Sequence, residues 1–347
     1  MLLAALAAPL CAQRHLHLPA GSETREGNFS NTIPFWSGSA TYQQFHDDVE
    51  LARLGAGPWT VVGLALRKDR DPANTTARSL EVTLSLNLTS VSSRTMTGDF
   101  AANLGPGATT VLPWTSVNLP ALTNVSTPNP PALAIAFAQP FVLAPAPGRH
   151  LVWEWRHRRN SDTSFLILDA VDAETAVPHP NEGRGCRSPS QPSPATVVER
   201  SLRLTAGTTL RMKLDFAAPG APAALLLGFQ RGTLQVPGFC APALLVPLMT
   251  LPGATDPGGR LDLIVTNGDL RGLAADVLLG QFLFLDPGIP PGAGLSDLAV
   301  LELPLPGASS TGRAYTSPQS AGQGFENSTM AQTVDRWRSL AVALRLP

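Results

Sequence analysis

The chain has 347 residues, of which 44% are hydrophobic and 15% are charged, and its formal net charge is −1. This balance excludes a wholly disordered chain, and it gives no electrostatic basis for binding nucleic acid or an anionic membrane surface. The 33 prolines and 30 glycines disfavour long helices and favour short strands separated by turns. The length suffices for two domains, each with its own hydrophobic core.

The chain begins with an apolar run, residues 1–13, that is typical of a secretory leader. No Lys or Arg precedes the run, and Leu10 stands where leader cleavage and lipid attachment both favour a small residue. Cleavage near Ala12, a lipid anchor at Cys11 and an uncleaved start therefore all stay open. We predict export, with residues 1–19 forming the leader and the mature N-terminal tail. No later stretch has the roughly 18 uninterrupted apolar residues of a membrane span.

Residues 80–89 show the clearest strand pattern, because Leu and Val alternate with polar residues throughout. A period of two places every apolar side chain on one face of a strand. Short strands separated by Gly, Pro, Asn and Asp favour antiparallel sandwiches. We therefore predict an all-β fold of two antiparallel β-sandwich (jelly-roll-like) domains. The other predicted strands are Trp59–Leu66, Leu133–Phe137, His150–His157, Ser164–Ala170, Leu202–Leu204, Thr209–Phe216, Ala224–Phe229, Leu261–Thr266, Val277–Leu285, Leu298–Leu303 and Ser339–Leu346.

A helical pattern is found in residues 41–54, where the apolar residues are spaced loosely along one helical face. A helix there would place His46 and Glu50 on the same face as possible metal ligands. The segment lacks the second histidine of the His-Glu-x-x-His arrangement. We interpret it as a solvated, charged helix face.

Two turn segments carry carboxylates at loop edges, Asp69-Arg-Asp71-Pro72 and Asp256-Pro-Gly-Gly259. Such oxygens can ligate calcium, but neither segment has the full carboxylate spacing of a calcium loop. Ordinary turn chemistry explains both segments. We therefore predict no metal site and no cofactor.

Two tryptophans with charged neighbours lie on the predicted strand His150–His157. Strand alternation places Trp153 and Trp155 on one face, and Glu154 and Arg156 on the other. We interpret the tryptophans as core residues and the arginine side as the solvent side. The alternative is a speculative ligand-binding platform, in which exposed tryptophans stack on sugar rings while Glu154 and Arg156 bind hydroxyl groups.

Residues 179–194 are rich in Pro, Gly and Ser and poor in apolar residues. Because such a segment cannot build its own core, we predict a surface linker. It divides the chain into a first β-sandwich domain at 20–178 and a second at 195–347.

Cys186 and Cys240 are the two cysteines that remain after the leader. In an exported protein such a pair is predicted to form a disulfide. Closing a loop of this length stabilises the fold by roughly 4 kcal/mol in the chain-entropy model. The alternative is two reduced cysteines in a cytosolic protein.

Four segments carry a family likeness: Glu26-Gly-Asn-Phe-Ser-Asn-Thr-Ile-Pro-Phe35, Thr60-Val-Val-Gly-Leu-Ala-Leu-Arg67, Phe100-Ala-Ala-Asn-Leu-Gly-Pro-Gly107 and Gly183-Arg-Gly-Cys186. In this order they resemble segments of uncharacterised secreted β-rich proteins of planctomycete-type bacteria. The resemblance implies an exported β-rich protein and brings no catalytic residues with it. The chain departs from the pattern at residues 187–194, where a glycine-rich region is usual.

The sequence has no Gly-x-Ser-x-Gly elbow, no phosphate-cradling loop and no dinucleotide fingerprint. We predict a non-enzymatic, structural or adhesive protein, secreted or at the cell surface, with an extracellular polysaccharide or a cell-surface protein as its partner. One alternative is a carbohydrate-binding protein that uses Trp153, Trp155, Trp36 or Trp114. A weaker alternative is a secreted hydrolase, for which two suitably spaced carboxylates would serve.

Overall fold

A computed structural model shows a chain that is nearly all β, with 54% strand and 4% helix, as predicted. The chain divides into two compact units, Met1–Val171 with Ser310–Pro347 and Asp172–Ser309. None of the described helices is long and apolar enough to cross a membrane. The structure describes residues 14–35, 38–70, 75–164, 166–174, 176–204, 208–235, 237–267, 275–304, 311–315, 331, 333–335 and 338–347.

The first unit contains two short helices, a 3-10 turn and thirteen of the described strands. The helices are α1 (Asp48–Leu51) and α2 (Phe100–Leu104), and the 3-10 turn is Ala52–Leu54. The strands before the second unit are β1 (His15–Leu18), β2 (Phe29–Asn31), β3 (Ala40–His46), β4 (Trp59–Leu66), β5 (Arg78–Thr89), β6 (Thr109–Leu119), β7 (Leu133–Leu143), β8 (His150–Arg158) and β9 (Leu168–Asp172).

The second unit and the C-terminal return to the first unit are also built from strands. Those of the second unit are β10 (Val177–Glu182), β11 (Thr196–Arg203), β12 (Thr208–Asp215), β13 (Pro222–Gly228), β14 (Gln230–Leu234), β15 (Ala243–Val246), β16 (Met249–Ala254), β17 (Leu261–Asn267), β18 (Val277–Leu285) and β19 (Ala293–Glu302). Those of the return are β20 (Thr311–Tyr315), β21 (Thr333–Asp335), β22 (Arg338–Leu340) and β23 (Val342–Arg345).

The first unit has three sheets, in the strand orders β21-β20-β3-β8-β5-β6, β1-β23-β4-β7 and β2-β9-β22. Side chains from all three sheets meet in one hydrophobic core. Strand β5 shows the predicted alternation from Leu80 to Leu86, whose apolar side chains are buried. The alternation ends at Asn87, because its buried amide donates to the carbonyl of Leu104 at 2.7 Å.

The segment predicted as a helix, residues 41–54, is a strand as far as His46 and is helical only in α1 and the 3-10 turn that follows it. Strand β3 lies between β20 and β8, and both of its faces are buried. A strand covered on both faces does not alternate between apolar and polar residues, so its period is hidden in the sequence. His46 ends β3 while Glu50 lies in α1, so the two residues do not share a helix face. Both are 0% exposed, so the prediction of a solvated, charged face was wrong.

The division of the chain differs from the predicted domains at 20–178 and 195–347. Strands β20 to β23 belong to the first unit, and β23 pairs with both β1 and β4. Strand β1 also shows that part of the expected N-terminal tail, residues 1–19, is built into a sheet, while residues 1–13 lie outside the described part. Pairing between strands from distant parts of a chain leaves no pattern in the local sequence. Local composition therefore predicted two domains that follow one another along the chain.

The predicted linker, residues 179–194, is part of the second unit. It begins inside β10, which pairs with β19 at the edge of a five-stranded sheet. Pro178 and Pro180 fit there because an edge strand tolerates missing backbone donors. Further along, the N–H of Cys186 donates to Leu295 and the N–H of Ala195 donates to Cys186.

The second unit has sheets in the orders β10-β19-β18-β13-β16 and β11-β12-β17 and a ribbon of β14 and β15. The two larger sheets share one hydrophobic core. On the other face of the five-stranded sheet, Leu245 of β15 packs against Leu279 and Val300. Cys186 and Cys240 form the predicted disulfide, with their Cα atoms 5.5 Å apart. A disulfide is compatible with an extracytoplasmic location.

Candidate functional site

Trp153 and Trp155 are core residues, and both are 0% exposed. The ring of Trp153 lies 5.3 Å from that of Tyr42, and the ring of Trp155 lies 5.3 Å from that of Phe35. The Trp155 indole N–H donates to Nδ1 of His157 at 3.2 Å. Both tryptophans therefore lie in the core, and the buried faces of their rings are not open to stack on a sugar.

Glu154 and Arg156 lie on the other face of β8, where α2 and its neighbours cover the sheet. Glu154 is 4% exposed, and its carboxylate accepts from Gln43 Nε2 at 2.7 Å and from Arg156 Nε at 2.7 Å. Gln43 also donates to the carbonyl of Phe100 in α2 at 2.8 Å. The side of the strand predicted to face solvent is therefore covered at Glu154. Glu154 and Arg156 bond to each other inside the first unit and are not available to bind hydroxyl groups of a ligand.

Trp114 is 39% exposed on strand β6, and Trp36 lies outside the described residues. The guanidinium of Arg158 lies 4.3 Å from the ring centroid of Trp114. The Nε of Arg158 donates to Glu81 at 2.6 Å, which fixes its position. One face of the Trp114 ring is thus occupied by a cation–π contact.

Three buried acidic residues from separate segments meet in the first unit: Glu26, Asp69 and Asp169, here called the carboxylate cluster. One oxygen of each lies within 4.8 Å of one oxygen of each of the others. Their exposures are 9%, 6% and 0%. Asp69 was one of the carboxylates noted in the turn segments, whereas its neighbour Asp71 lies outside the described residues. Glu26 and Asp169 were missed, because nothing in the sequence links residues so far apart.

Asp169 is held by charge-assisted hydrogen bonds on both oxygens. Arg67 donates to Oδ2 through Nε at 2.6 Å and through Nη2, and the backbone N–H of Gly27 donates to Oδ1 at 2.8 Å. A Cβ on Gly27 would lie 1.9 Å from the carbonyl oxygen of Ala170. Glycine is therefore required for this close approach of the two backbones. Burial raises the pKa of Asp169, and Arg67 opposes that rise.

Glu26 differs from Asp169, because neither of its buried carboxylate oxygens has a hydrogen-bond partner among the described residues. Burial raises the pKa of Glu26, and the Arg67 charge opposes the rise. The backbone N–H of Arg70 also lowers this pKa, without reaching hydrogen-bond geometry. Asp69 accepts a hydrogen bond from the Ser30 hydroxyl at 2.9 Å. Among the three acids, Glu26 is the one for which both carboxylate oxygens lack a hydrogen-bond partner in the described part of the chain.

The other predicted acidic positions have different surroundings. The carboxylate of Asp256 accepts from the N–H groups of Gly258 and Arg260 at 2.8 and 2.9 Å, which is ordinary turn chemistry. Glu50 is 0% exposed and accepts from the N–H of Ala20 at 2.6 Å, and burial raises its pKa to about 7.

A group of exposed apolar side chains lies at one end of the β14–β15 ribbon: Phe229, Val246, Leu248 and Met249, here called the apolar surface. Their exposures are 37%, 49%, 72% and 50%. They lie on facing segments, because Gln230 pairs with Val246 and the N–H of Leu248 donates to Leu227 at 2.8 Å. Val246 points outward since the preceding residue, Leu245, packs inward.

Comparison with known proteins gives no family for this arrangement. No protein-family model matches the chain, and no curated protein is significantly similar to it.

Proposed function

We propose that the protein is exported and non-enzymatic, and that it has a structural or adhesive role in which copies of the chain bind one another through the apolar surface. The observation that carries this proposal is the grouping of four exposed apolar side chains on adjacent segments of one unit. Single exposed apolar residues are ordinary, but a contiguous group is typical of an interaction surface.

A second copy of the chain is the proposed partner, because the apolar surface adjoins an open sheet edge. Met249 begins β16, which pairs with β13 and ends its sheet among the described strands. An open edge can be extended by the same edge of another copy, and apolar side chains beside it add buried area. Pro252 limits such pairing to the first half of β16, because proline has no backbone donor.

Sedimentation velocity over a range of concentrations tests this proposal. We expect the purified chain to self-associate, and we expect the double variant Leu248→Glu with Met249→Glu to stay monomeric. Val125→Glu is the matched control, since Val125 is 70% exposed and lies in the other unit. A wild-type chain that stays monomeric, or a double variant that associates as strongly as the wild type, would contradict the proposal.

The carbohydrate-binding alternative now depends on Trp114, because Trp153 and Trp155 are buried. A polysaccharide array followed by tryptophan fluorescence tests it, with Trp114→Ala as the variant. Saturable binding that Trp114→Ala abolishes, from a chain that does not self-associate, would favour the alternative over our proposal.

A further inference from the structure

The carboxylate cluster is positioned by three segments that meet beside β9. Glu26 precedes β2, Asp69 follows β4, and Asp169 lies within β9. Strand β2 pairs with β9, and the N–H of Asp69 donates to the carbonyl of residue 167 at 3.0 Å. The backbone therefore fixes the three carboxylates relative to one another, and their convergence does not depend on long flexible side chains alone.

Glu26 gives an independent reason to expect a ligand at this position. Its side chain is more than nine-tenths buried, and both of its oxygens lack a partner among the described residues. One of these oxygens faces the oxygens of Asp69 and Asp169 within 4.8 Å. A buried carboxylate without a partner carries a large desolvation cost, which a bound cation removes.

The spacing of the oxygens fits a hard divalent cation. Calcium binds oxygen ligands at about 2.3–2.6 Å, so two of its ligands lie at most about 5 Å apart. The 4.8 Å limit within the cluster meets that condition. Arg67 bonds to Asp169, so it offsets one carboxylate and leaves Glu26 without a bonded cation.

We propose that Glu26, Asp69 and Asp169 bind one calcium ion, with the Glu26 carboxylate, which has no hydrogen-bond partner among the described residues, as the essential ligand. Carboxylates supply part of the shell, and backbone carbonyls and water complete it, as in other oxygen-ligand sites. Arg67 and Gly27 are positioning residues, because they hold Asp169 and do not touch the ion.

Isothermal titration calorimetry of the full chain, purified in chelator-treated buffer and titrated with CaCl₂, tests this site. We expect one calcium ion per chain, with a dissociation constant in the range of about 10⁻⁴–10⁻³ M that extracellular modules show. Glu26→Gln keeps the size of the side chain and removes its charge. It is expected to weaken binding at least about tenfold while the chain stays folded, because three carboxylates become two.

Glu50→Gln is the matched control, since Glu50 is also buried and has one oxygen without a partner but lies outside the cluster. It is expected to leave calcium binding unchanged. The absence of calcium binding by the wild type would overturn the proposal, and so would binding that Glu26→Gln leaves intact. A Glu26→Gln chain that is more stable than a wild type indifferent to calcium would show that Glu26 is instead held protonated. None of these results depends on self-association.

Discussion

The two units differ in what they bury. Every buried Arg, Lys, His or Glu among the described residues belongs to the first unit, from Glu26 to Arg313. The second unit buries alanines, leucines and Phe282 with Phe284, and it keeps its arginine ion pairs at the surface. The second unit also buries charged side chains, but among the described residues these are acidic, as in Asp286 and Asp297. The first unit thus depends more on charge complementarity inside its core, while the second depends more on apolar packing and one disulfide.

Because the two units bury different kinds of side chain, we expect substitutions to destabilise them in different ways. A buried charge that loses its partner costs several times more than an exposed one, because it cannot regain its water. A core that is mainly apolar, as in the second unit, loses stability mainly when a substitution leaves a cavity, or when loss of a cross-link makes the unfolded state more flexible. The free energy of unfolding should therefore depend mainly on buried partners and pH in the first unit, and on core volume and the disulfide in the second.

The largest effect is expected from Trp153→Ala. It removes a fully buried ring that packs on Tyr42 and donates to His46 at 3.4 Å. We expect a loss of about 3–5 kcal/mol in the free energy of unfolding, measured in urea by circular dichroism. Trp114→Ala is the control, with an expected loss of about 1 kcal/mol or less. Equal losses in the two variants would contradict the core assignment.

Removal of the disulfide is expected to have the next largest effect. Replacing Cys186 and Cys240 by serine frees a loop of 54 residues. We expect a loss of about 2–5 kcal/mol, confined to the second unit. The same urea titration in the wild type with and without reductant measures it. If the reduced chain unfolds at the same urea concentration as the oxidised chain, the disulfide does not stabilise the unit.

A pH dependence is expected from His46, whose pKa burial lowers to about 3. Gln44 donates to His46 Nε2 at 3.0 Å, and its amide orientation is fixed because its Oε1 accepts from the N–H of Leu340. Trp153 donates to the same nitrogen. Neutral His46 must therefore carry its proton on Nδ1, which is buried and has no partner.

The direction of the pH dependence follows from the different pKa values of His46 in the folded and unfolded states. The unfolded histidine gains a proton below its ordinary pKa of 6.5, while the pKa of the folded one is lowered to about 3, so that it stays neutral down to that pH. Stability is therefore complete above pH 6.5 and falls by about 1.4 kcal/mol per pH unit on acidification. The measurement is the difference in unfolding free energy between wild type and His46→Leu from pH 7 to pH 4. Glu50, with its raised pKa, acts in the opposite direction and cancels in this difference. A pH-independent difference would contradict the buried neutral state.

The smallest effect is expected at the surface of the second unit. Arg260 is 58% exposed and pairs with Asp215 at 3.0 Å. Arg260→Ala should cost less than about 1 kcal/mol in urea unfolding, because solvent and salt screen such pairs. A loss comparable to that of Trp153→Ala would remove the contrast between the two units.

Much of the strand pattern was predictable, and the connections between strands were not. The bounds of β4 and β18 match the predicted Trp59–Leu66 and Val277–Leu285. Turn residues and apolar runs are local, so the sequence displays them. Strand β10 was hidden because its prolines indicate a loop, although an edge strand accepts them.

The candidate site was less accessible to sequence reasoning than the fold. Asp69 was noticed as a loop carboxylate, but its partners Glu26 and Asp169 come from distant segments that only the folded sheets bring together. The exposure of Val246 and Leu248 was equally hidden, since an apolar residue in the sequence gives no sign of whether it faces a core or solvent. Such sites depend on tertiary contacts, which a single sequence does not display.

The central claim is that the two units draw their stability from different sources, and peptide-resolved hydrogen exchange tests it most directly. We expect Trp153→Ala to raise exchange in β3, β5 and β8, and we expect the replacement of Cys186 and Cys240 by serine to raise exchange in β13, β18 and β19. Each variant should leave the other unit protected. If the disulfide variant raised exchange in β3, β5 and β8 as much as in β13, β18 and β19, the claim would be contradicted.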